Sequence, residues 1–170
     1  MISPPPTCAL ALTFWLHLLA TVTWVGSLAA ISFLVLPAMK SALDVETQLK
    51  FIEAMQKRLE PVAWFSMSLL LVTGLFQMSV NPHYDGFLST STQWSLAILI
   101  KHILGIIMVV VSAIQTWEVI PAIRRALIIS KKRNNAETLD SLRRREVRLL
   151  RINFGLSILI LAATAFARAS

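Results

Sequence analysis

The chain contains 170 residues, of which 56% are hydrophobic and 15% are charged. A soluble domain is about 45–50% apolar and about 25% charged. This composition, with its long uncharged runs, excludes an ordinary soluble protein and is typical of a polytopic membrane protein. The single cysteine, Cys8, excludes an intramolecular disulfide and a cysteine-based metal cluster.

Most of the net charge of +7 comes from one segment, because ten of the sixteen Lys and Arg residues lie between Arg124 and Arg151. A soluble protein with this charge would be a candidate for nucleic-acid binding. In a membrane protein, a basic connecting segment is instead typical of a cytoplasmic loop beside anionic lipid headgroups. We therefore expect the lipid bilayer, and no nucleic acid, as a partner.

Four segments with few or no charges are each long enough to cross a hydrocarbon core, which takes about twenty residues. The predicted spans are residues 7–39, 61–80, 93–120 and 149–167. The first has no Lys or Arg before it, so we expect a retained span rather than a signal peptide. None of the segments alternates apolar and polar residues, which excludes a β-barrel. The sequence therefore predicts an all-α fold, a membrane four-helix bundle that forms a single domain over residues 1–170.

The loops between the predicted spans differ in charge. Residues 40–60 contain four Lys or Arg residues, residues 121–148 contain nine, and residues 81–92 contain none. By the positive-inside rule, the two basic loops are cytoplasmic. Residues 81–92 and both termini are then expected outside.

The two basic loops also show helical spacing of their apolar residues, from Val45 to Leu59 and from Glu137 to Arg148. The second stretch is expected to extend span four into the cytoplasm. Pro61 is expected in the first turn of span two, where proline is tolerated. Glu118, near the inner end of span three, is expected to pair with Arg151.

Two histidines lie within the predicted spans, where ionisable residues are costly and indicate function by default. His17 lies about eight to ten residues below the outer end of span one, and His102 about nine residues below that of span three. At 1.5 Å per residue, both lie about 13–15 Å below the outer surface. Two imidazoles at one depth could bind a copper ion or both faces of a haem iron. They could also serve only as neutral hydrogen-bonding groups between helices.

Two further side chains are candidates for the same site. Lys101, beside His102, is too deep to reach the outer surface and is expected to face the bundle interior. It could contact a haem propionate or another anion, or hydrogen-bond to helix carbonyls. Trp24 lies on the same face of span one as His17, seven residues later, and is a candidate for cofactor binding.

Weaker candidates lie nearer the outer surface. Met78, at the outer end of span two, has a thioether of the kind that selects Cu(I), although isolated methionines usually fill cores. His83 could bind a metal on the outer side, although its surroundings are more typical of a surface turn. No arrangement of residues indicates catalysis, so no catalytic residue is predicted and an enzyme is the less favoured interpretation.

Short motifs link these residues to a known family. They are Trp15-Leu16-His17-Leu18-Leu19, Trp24-Val25-Gly26, Leu36-Pro37, Arg58, Thr73-Gly74, Lys101-His102, Gln115 and Pro121. Together they resemble the copper resistance protein D (CopD) family of bacterial inner-membrane proteins. The resemblance implies copper handling across the inner membrane, with a periplasmic copper-binding protein or other membrane subunits as partners. It also implies His17, Lys101 and His102 as the polar residues of interest.

The sequence departs from that family by lacking a methionine-rich outer loop and by covering only a four-helix core. Its first span is also similar to the membrane protoporphyrinogen oxidase family, which binds haem. Three hypotheses therefore stand. The favoured one is copper transport or resistance through an intramembrane histidine pair. The second is a b-type haem protein with His17 and His102 as axial ligands, for electron transfer or haem-dependent oxidation. The third is a cofactor-free subunit of a larger membrane complex.

Overall fold

The computed structural model describes residues 6–82, 84, 86, 89–130 and 136–169, and every regular element within them is helical. The α-helices are α1 (Thr7–Ala29), α2 (Leu36–Ala42), α3 (Val45–Ser79), α4 (Gln93–Ile114), α5 (Ile120–Ser130) and α6 (Ala136–Ala169). Two π-helical segments, Ala30–Val35 and Gln115–Val119, join α1 to α2 and α4 to α5. The prediction of an all-α fold is confirmed.

Within the described residues, four continuous helices are long and apolar enough to cross a membrane. They are Thr7–Ala42, Lys50–Ser79, Gln93–Ala126 and Leu139–Arg168, which we call spans one to four. Their mean hydropathy lies between 1.6 and 2.5. Large apolar side chains such as Val22 and Phe65 are 69% exposed, which suits contact with lipid rather than water. The protein is therefore a multi-pass membrane protein, as predicted.

Side-chain contacts define two antiparallel hairpins. In the first, the amide of Gln77 donates to the carbonyl of Thr13 at 3.3 Å, so the end of α3 lies beside the start of α1. In the second, Asn153 donates to Ser112 at 2.8 Å, and Ser157 contacts the sulfur of Met108 at 3.6 Å. The contact residue later in α6 meets the contact residue earlier in α4, so these two helices are also antiparallel.

The two hairpins meet where α6 packs along span one. The ring of Phe33 contacts that of Phe154 edge-on, with centroids 5.3 Å apart. The guanidinium of Arg168 lies over the ring of Phe14, 5.3 Å from its centroid. Span one is therefore antiparallel to α6 as well as to α3, and α6 packs against both span one and span three.

The bundle has two chemically different ends. At one, which we call the basic end, Arg124 pairs with Glu53 at 3.3 Å and Arg143 donates to Gln48 at 2.8 Å. The other end, called the loop end, contains the end of α3, the start of α4, the start of α1 and the end of α6. The described basic residues of the two predicted cytoplasmic loops thus lie at one end of the bundle, as the loop charges predict.

Spans one and three share an unusual construction. The π-helical segments begin at Ala30 and Gln115, which stand thirteen residues after His17 and His102 respectively. Each segment is followed closely by a proline, Pro37 or Pro121. A proline ring clashes with the carbonyl four residues before it, and in both spans that carbonyl lies inside the wider π-helical turn. The turn therefore lets each helix continue through its proline.

Two sequence predictions about local contacts are wrong. Pro61 lies inside α3 rather than at its start, because the apolar positions before it continue the same helix and Ile52 is buried in the core. Glu118 pairs with Arg145 at 2.8 Å instead of with Arg151, because the helical extension of span four brings Arg145 alongside it. That extension itself, predicted from residues 137–148, is confirmed by α6.

Candidate functional site

The imidazole of His17 lies against span two. Its Nδ1 is 2.7 Å from the hydroxyl oxygen of Thr73. Its Cε1 lies 3.5 Å from the position where a Cβ on Gly74 would stand, so the glycine leaves the ring room against the helix. His17 is half-buried, and its position is determined by contacts from two adjacent residues of α3.

The hydrogen bonds of Thr73 assign the His17 tautomer. The Thr73 hydroxyl lies 2.5 Å from the carbonyl of Leu69, which can only accept, so the hydroxyl hydrogen is donated there. The remaining role for the hydroxyl oxygen is to accept from Nδ1 of His17. In a neutral imidazole the other nitrogen, Nε2, then carries the lone pair that a metal ion requires.

His102 has the same tautomer for a different reason. Its Nδ1 lies 2.7 Å from the backbone carbonyl of Ile98, one turn earlier in α4. A carbonyl has no hydrogen to donate, so Nδ1 is the donor. The neutral ring therefore also carries its lone pair on Nε2.

The helix register relates the levels of the two histidines. His17 follows Phe14, which contacts Arg168 near the end of α6. His102 precedes Met108, whose sulfur contacts Ser157, farther from the end of α6. At 1.5 Å per residue, these contacts place the histidines within about one helical turn of each other along the bundle axis. Both flank the last turns of α6.

Positive charge surrounds this level of the bundle. Lys101, which is half-buried, interacts electrostatically with His17, and Arg168 interacts with Lys101. Across the described chain, no group of three or more His, Cys, Asp or Glu side chains could hold a metal ion. A cation bound at His17 would be repelled by a charged Lys101 ammonium group.

The other predicted site residues lie elsewhere. Met78 is buried near the loop end of α3, at 8% exposure. Trp24 is also buried, but in the core cluster of Leu28, Met67 and Leu150, about two turns from His17 toward the basic end. His83 lies outside the described residues. The structure thus brings Lys101 near His17 and separates Trp24 from both.

Sequence reasoning missed the partners of His17 on span two. Thr73 and Gly74 contributed to the family resemblance, and Gly74 was expected to let helices pack closely, but neither was predicted to contact His17. A polar residue next to a glycine in an otherwise apolar span was the available signal, since small and hydroxyl-bearing residues favour contacts between membrane helices. The buried polar residues Ser66, Ser112 and Asn153 were missed in the same way.

Comparison with known proteins supplies the family. The family model described as copper resistance protein D matches residues 53–167, which is more than half of the chain. The match includes Thr73, Lys101 and His102, whereas His17 and Trp24 precede it. No curated protein and no solved structure matches the chain. The match indicates an association with copper and gives no support to haem. With its four apolar spans, the chain belongs to the copper resistance protein D (CopD) family of membrane proteins.

Proposed function

We propose that this protein binds copper between spans one and three and moves it across the membrane, in copper transport or resistance. The observation that carries the proposal is the shared tautomer of His17 and His102. In each ring, Nδ1 is used as a donor to a protein oxygen, so Nε2 has the lone pair. Metal-binding histidines characteristically donate their second ring nitrogen in this way, which orients the ring and increases the basicity of the ligand.

Copper suits these donors. Imidazole nitrogen is a good copper ligand, whereas Mg²⁺ and Ca²⁺ prefer carboxylate and carbonyl oxygens. Copper is the cargo in this proposal, bound in passing rather than kept as a resident cofactor. The proposed ligands are the Nε2 atoms of His17 and His102. From these two atoms the ion could leave toward either side of the membrane.

Lys101 is proposed to keep the affinity of this site low enough for release. Conduction requires an ion to bind well enough to enter and weakly enough to leave. A positive charge near His17 opposes a copper ion by Coulomb repulsion, which is strong where the effective dielectric constant is low. The histidines would then select copper over other ions, and Lys101 would shorten the time that the copper ion stays bound.

The proposed orientation places the basic end in the cytoplasm of a bacterial cell and the histidine level in the outer half of the inner membrane. The support is the concentration of Lys and Arg in residues 40–60 and 121–148, as the positive-inside rule requires. A periplasmic copper-binding protein, or another membrane subunit, would then exchange copper at the loop end.

Copper binding by purified protein, compared among variants of its three histidines, tests the proposal. His17→Ala and His102→Ala are each expected to weaken Cu(I) binding by at least about tenfold. His83→Ala removes the weaker candidate ligand and, on this proposal, is expected to bind like the wild type. Equal affinity in all four proteins would refute the histidine pair.

Two further measurements separate the alternatives. Cells that express the wild type should differ in copper accumulation or tolerance from cells that express His17→Ala at equal membrane abundance. A Soret band after purification with haem supplied, lost in both His17→Ala and His102→Ala, would replace copper with haem as the ligand of the pair. If the histidine variants and the wild type contain the same amount of copper, and a partner protein copurifies in stoichiometric amount, a subunit role is favoured.

A further inference from the structure

A partly open cavity of about 120 Å³ lies among the four spans, between the histidine level and the basic end. All four spans contribute to its wall. The polar residues that line it include Trp24, Ser66, Ser112, Gln115, Glu146 and Asn153. Most of the surface of the wall is apolar, and these polar side chains form the smaller part of it. Polar groups are costly in a dry membrane interior unless each has a hydrogen-bond partner.

Two buried polar atoms on this wall lack a hydrogen-bond partner among the described residues. They are the indole nitrogen of Trp24, a residue 6% exposed, and the side-chain oxygen of Asn153, a residue 1% exposed. One is a donor and the other is an acceptor. An unsatisfied buried group costs about 1–3 kcal/mol, so the cavity has to supply one partner of each kind.

Water meets both needs, since it accepts from an indole N–H and donates to an amide oxygen. A bare cation could bind the Asn153 oxygen but would repel the positive end of the Trp24 N–H bond. An acyl chain could bind neither. At about 30 Å³ per molecule, the cavity has room for about four waters, or for a cation with two or three waters.

The cavity continues toward the basic end. Four of its lining residues, Gln56, Glu60, Thr116 and Ile120, also line a larger groove of about 730 Å³. The rest of that groove is mostly charged and includes Glu53, Lys57, Arg124 and Arg125. The cavity therefore adjoins a charged groove at the basic end, from which water could enter it.

We propose that this cavity is a water-filled vestibule through which copper passes between the histidine pair and the basic end of the protein. The assignment of copper as the ion rests on the proposed function, whereas the hydration of the cavity rests on its own geometry. Trp24 lies on the wall about 10 Å along α1 from His17, at 1.5 Å per residue. The buried carboxyl group of Glu146 is a further polar group on the same wall.

Cysteine labelling tests the vestibule. Cys8→Ser removes the only native thiol, and single cysteines are then placed at Ser66 and Ser112, which are 3% and 6% exposed and line the cavity. Ser157→Cys is the matched control, because this serine is equally buried, at 3%, but is not part of the wall. The probe is 2-aminoethyl methanethiosulfonate, applied to protein in detergent and then from the basic side of oriented vesicles.

Ser66→Cys and Ser112→Cys are expected to react at least about tenfold faster than Ser157→Cys, because thiolates form and react where water reaches them. Cu(I) at saturating concentration should slow labelling of both by at least about threefold. Equal, slow reaction at all three positions would overturn the vestibule.

The same labelling experiment tests separately whether copper is the ion that passes through the cavity. Fast labelling without protection, in protein whose histidines bind Cu(I), would show a hydrated cavity outside the copper path and would overturn the inference. Fast labelling in protein that binds no Cu(I) would remove the proposed function and leave the hydrated cavity standing.

Discussion

The Nδ1 atom of His17 lies 2.7 Å from the hydroxyl oxygen of Thr73, and this hydrogen bond joins span one to span two. Because the Thr73 hydroxyl donates its hydrogen bond to the Leu69 carbonyl, its oxygen accepts from Nδ1 and holds the imidazole in one tautomer. A backbone oxygen of α3 thereby determines which nitrogen of a residue on α1 faces a ligand. The copper affinity of His17 should therefore respond to changes on α3.

Thr73→Val keeps the shape of the side chain but removes the acceptor for His17 Nδ1. Cu(I) affinity is expected to fall by about 10- to 100-fold, as when the hydrogen-bond partner of a metal-binding histidine is removed. Competitive titration of purified protein measures it. Thr164→Val is the matched control, since the Thr164 hydroxyl bonds to the Ile160 carbonyl of its own helix. A similar loss in both variants would assign the effect to general destabilisation.

Gly74 gives His17 its space, and graded substitutions measure how much is needed. A Cβ at Gly74 would lie 3.5 Å from His17 Cε1, which is ordinary contact, so Gly74→Ala should bind copper like the wild type. Gly74→Leu should displace the ring and abolish Cu(I) binding. Gly105→Leu is a control in span three, because nothing among the described residues lies within 4 Å of a Cβ there. Retained binding in Gly74→Leu would contradict the position of the imidazole.

Lys101→Met removes the positive charge near His17 while keeping most of the side-chain length. Copper affinity is expected to rise by about tenfold, equivalent to about 1.4 kcal/mol, and copper export or uptake to slow as residence lengthens. Lys57→Met, at the basic end, serves as the control for loss of one charge. A fall in affinity in Lys101→Met would instead identify the lysine as a ligand.

The exposed ion pair between Glu118 and Arg145 should contribute little to stability despite its 2.8 Å separation. Both side chains are about half exposed, at 58% and 47%, and such pairs contribute less than about 1 kcal/mol. Glu118→Gln should therefore leave thermal unfolding in detergent almost unchanged. Ile123→Ala, at a site 3% exposed in the same region, should cost about 2–5 kcal/mol. Equal effects would show that the ion pair is structural.

Much of the fold could be predicted from local properties. The four spans and the helical extension before Leu149 follow from the length and spacing of apolar runs. The collection of basic residues at one end follows from their positions in the chain. The placement of His17 and His102 at similar distances from the starts of their spans follows from counting residues.

The contacts of those residues could not be predicted in the same way. In lipid, the outer and inner faces of a helix are both apolar, so the sequence carries little periodicity to show which face meets a neighbour. The rotation of each helix about its axis decides which side chains meet. It determines that Glu118 pairs with Arg145 and that Trp24 is buried away from His17. It also determines that Ser66, Ser112 and Asn153 line one cavity.

The sequence by itself therefore determined the number of spans, the charge of each end and the residues proposed to bind copper, because these depend on length, hydropathy and position along the chain. Only the tertiary structure decided the tautomer of His17 and the presence of a cavity that Trp24 and Asn153 line. Each depends on side chains from different spans meeting at one level, as Thr73 meets His17 and Asn153 meets Ser112. These contacts depend on how the helices pack against one another, which cannot be read from the sequence of one span.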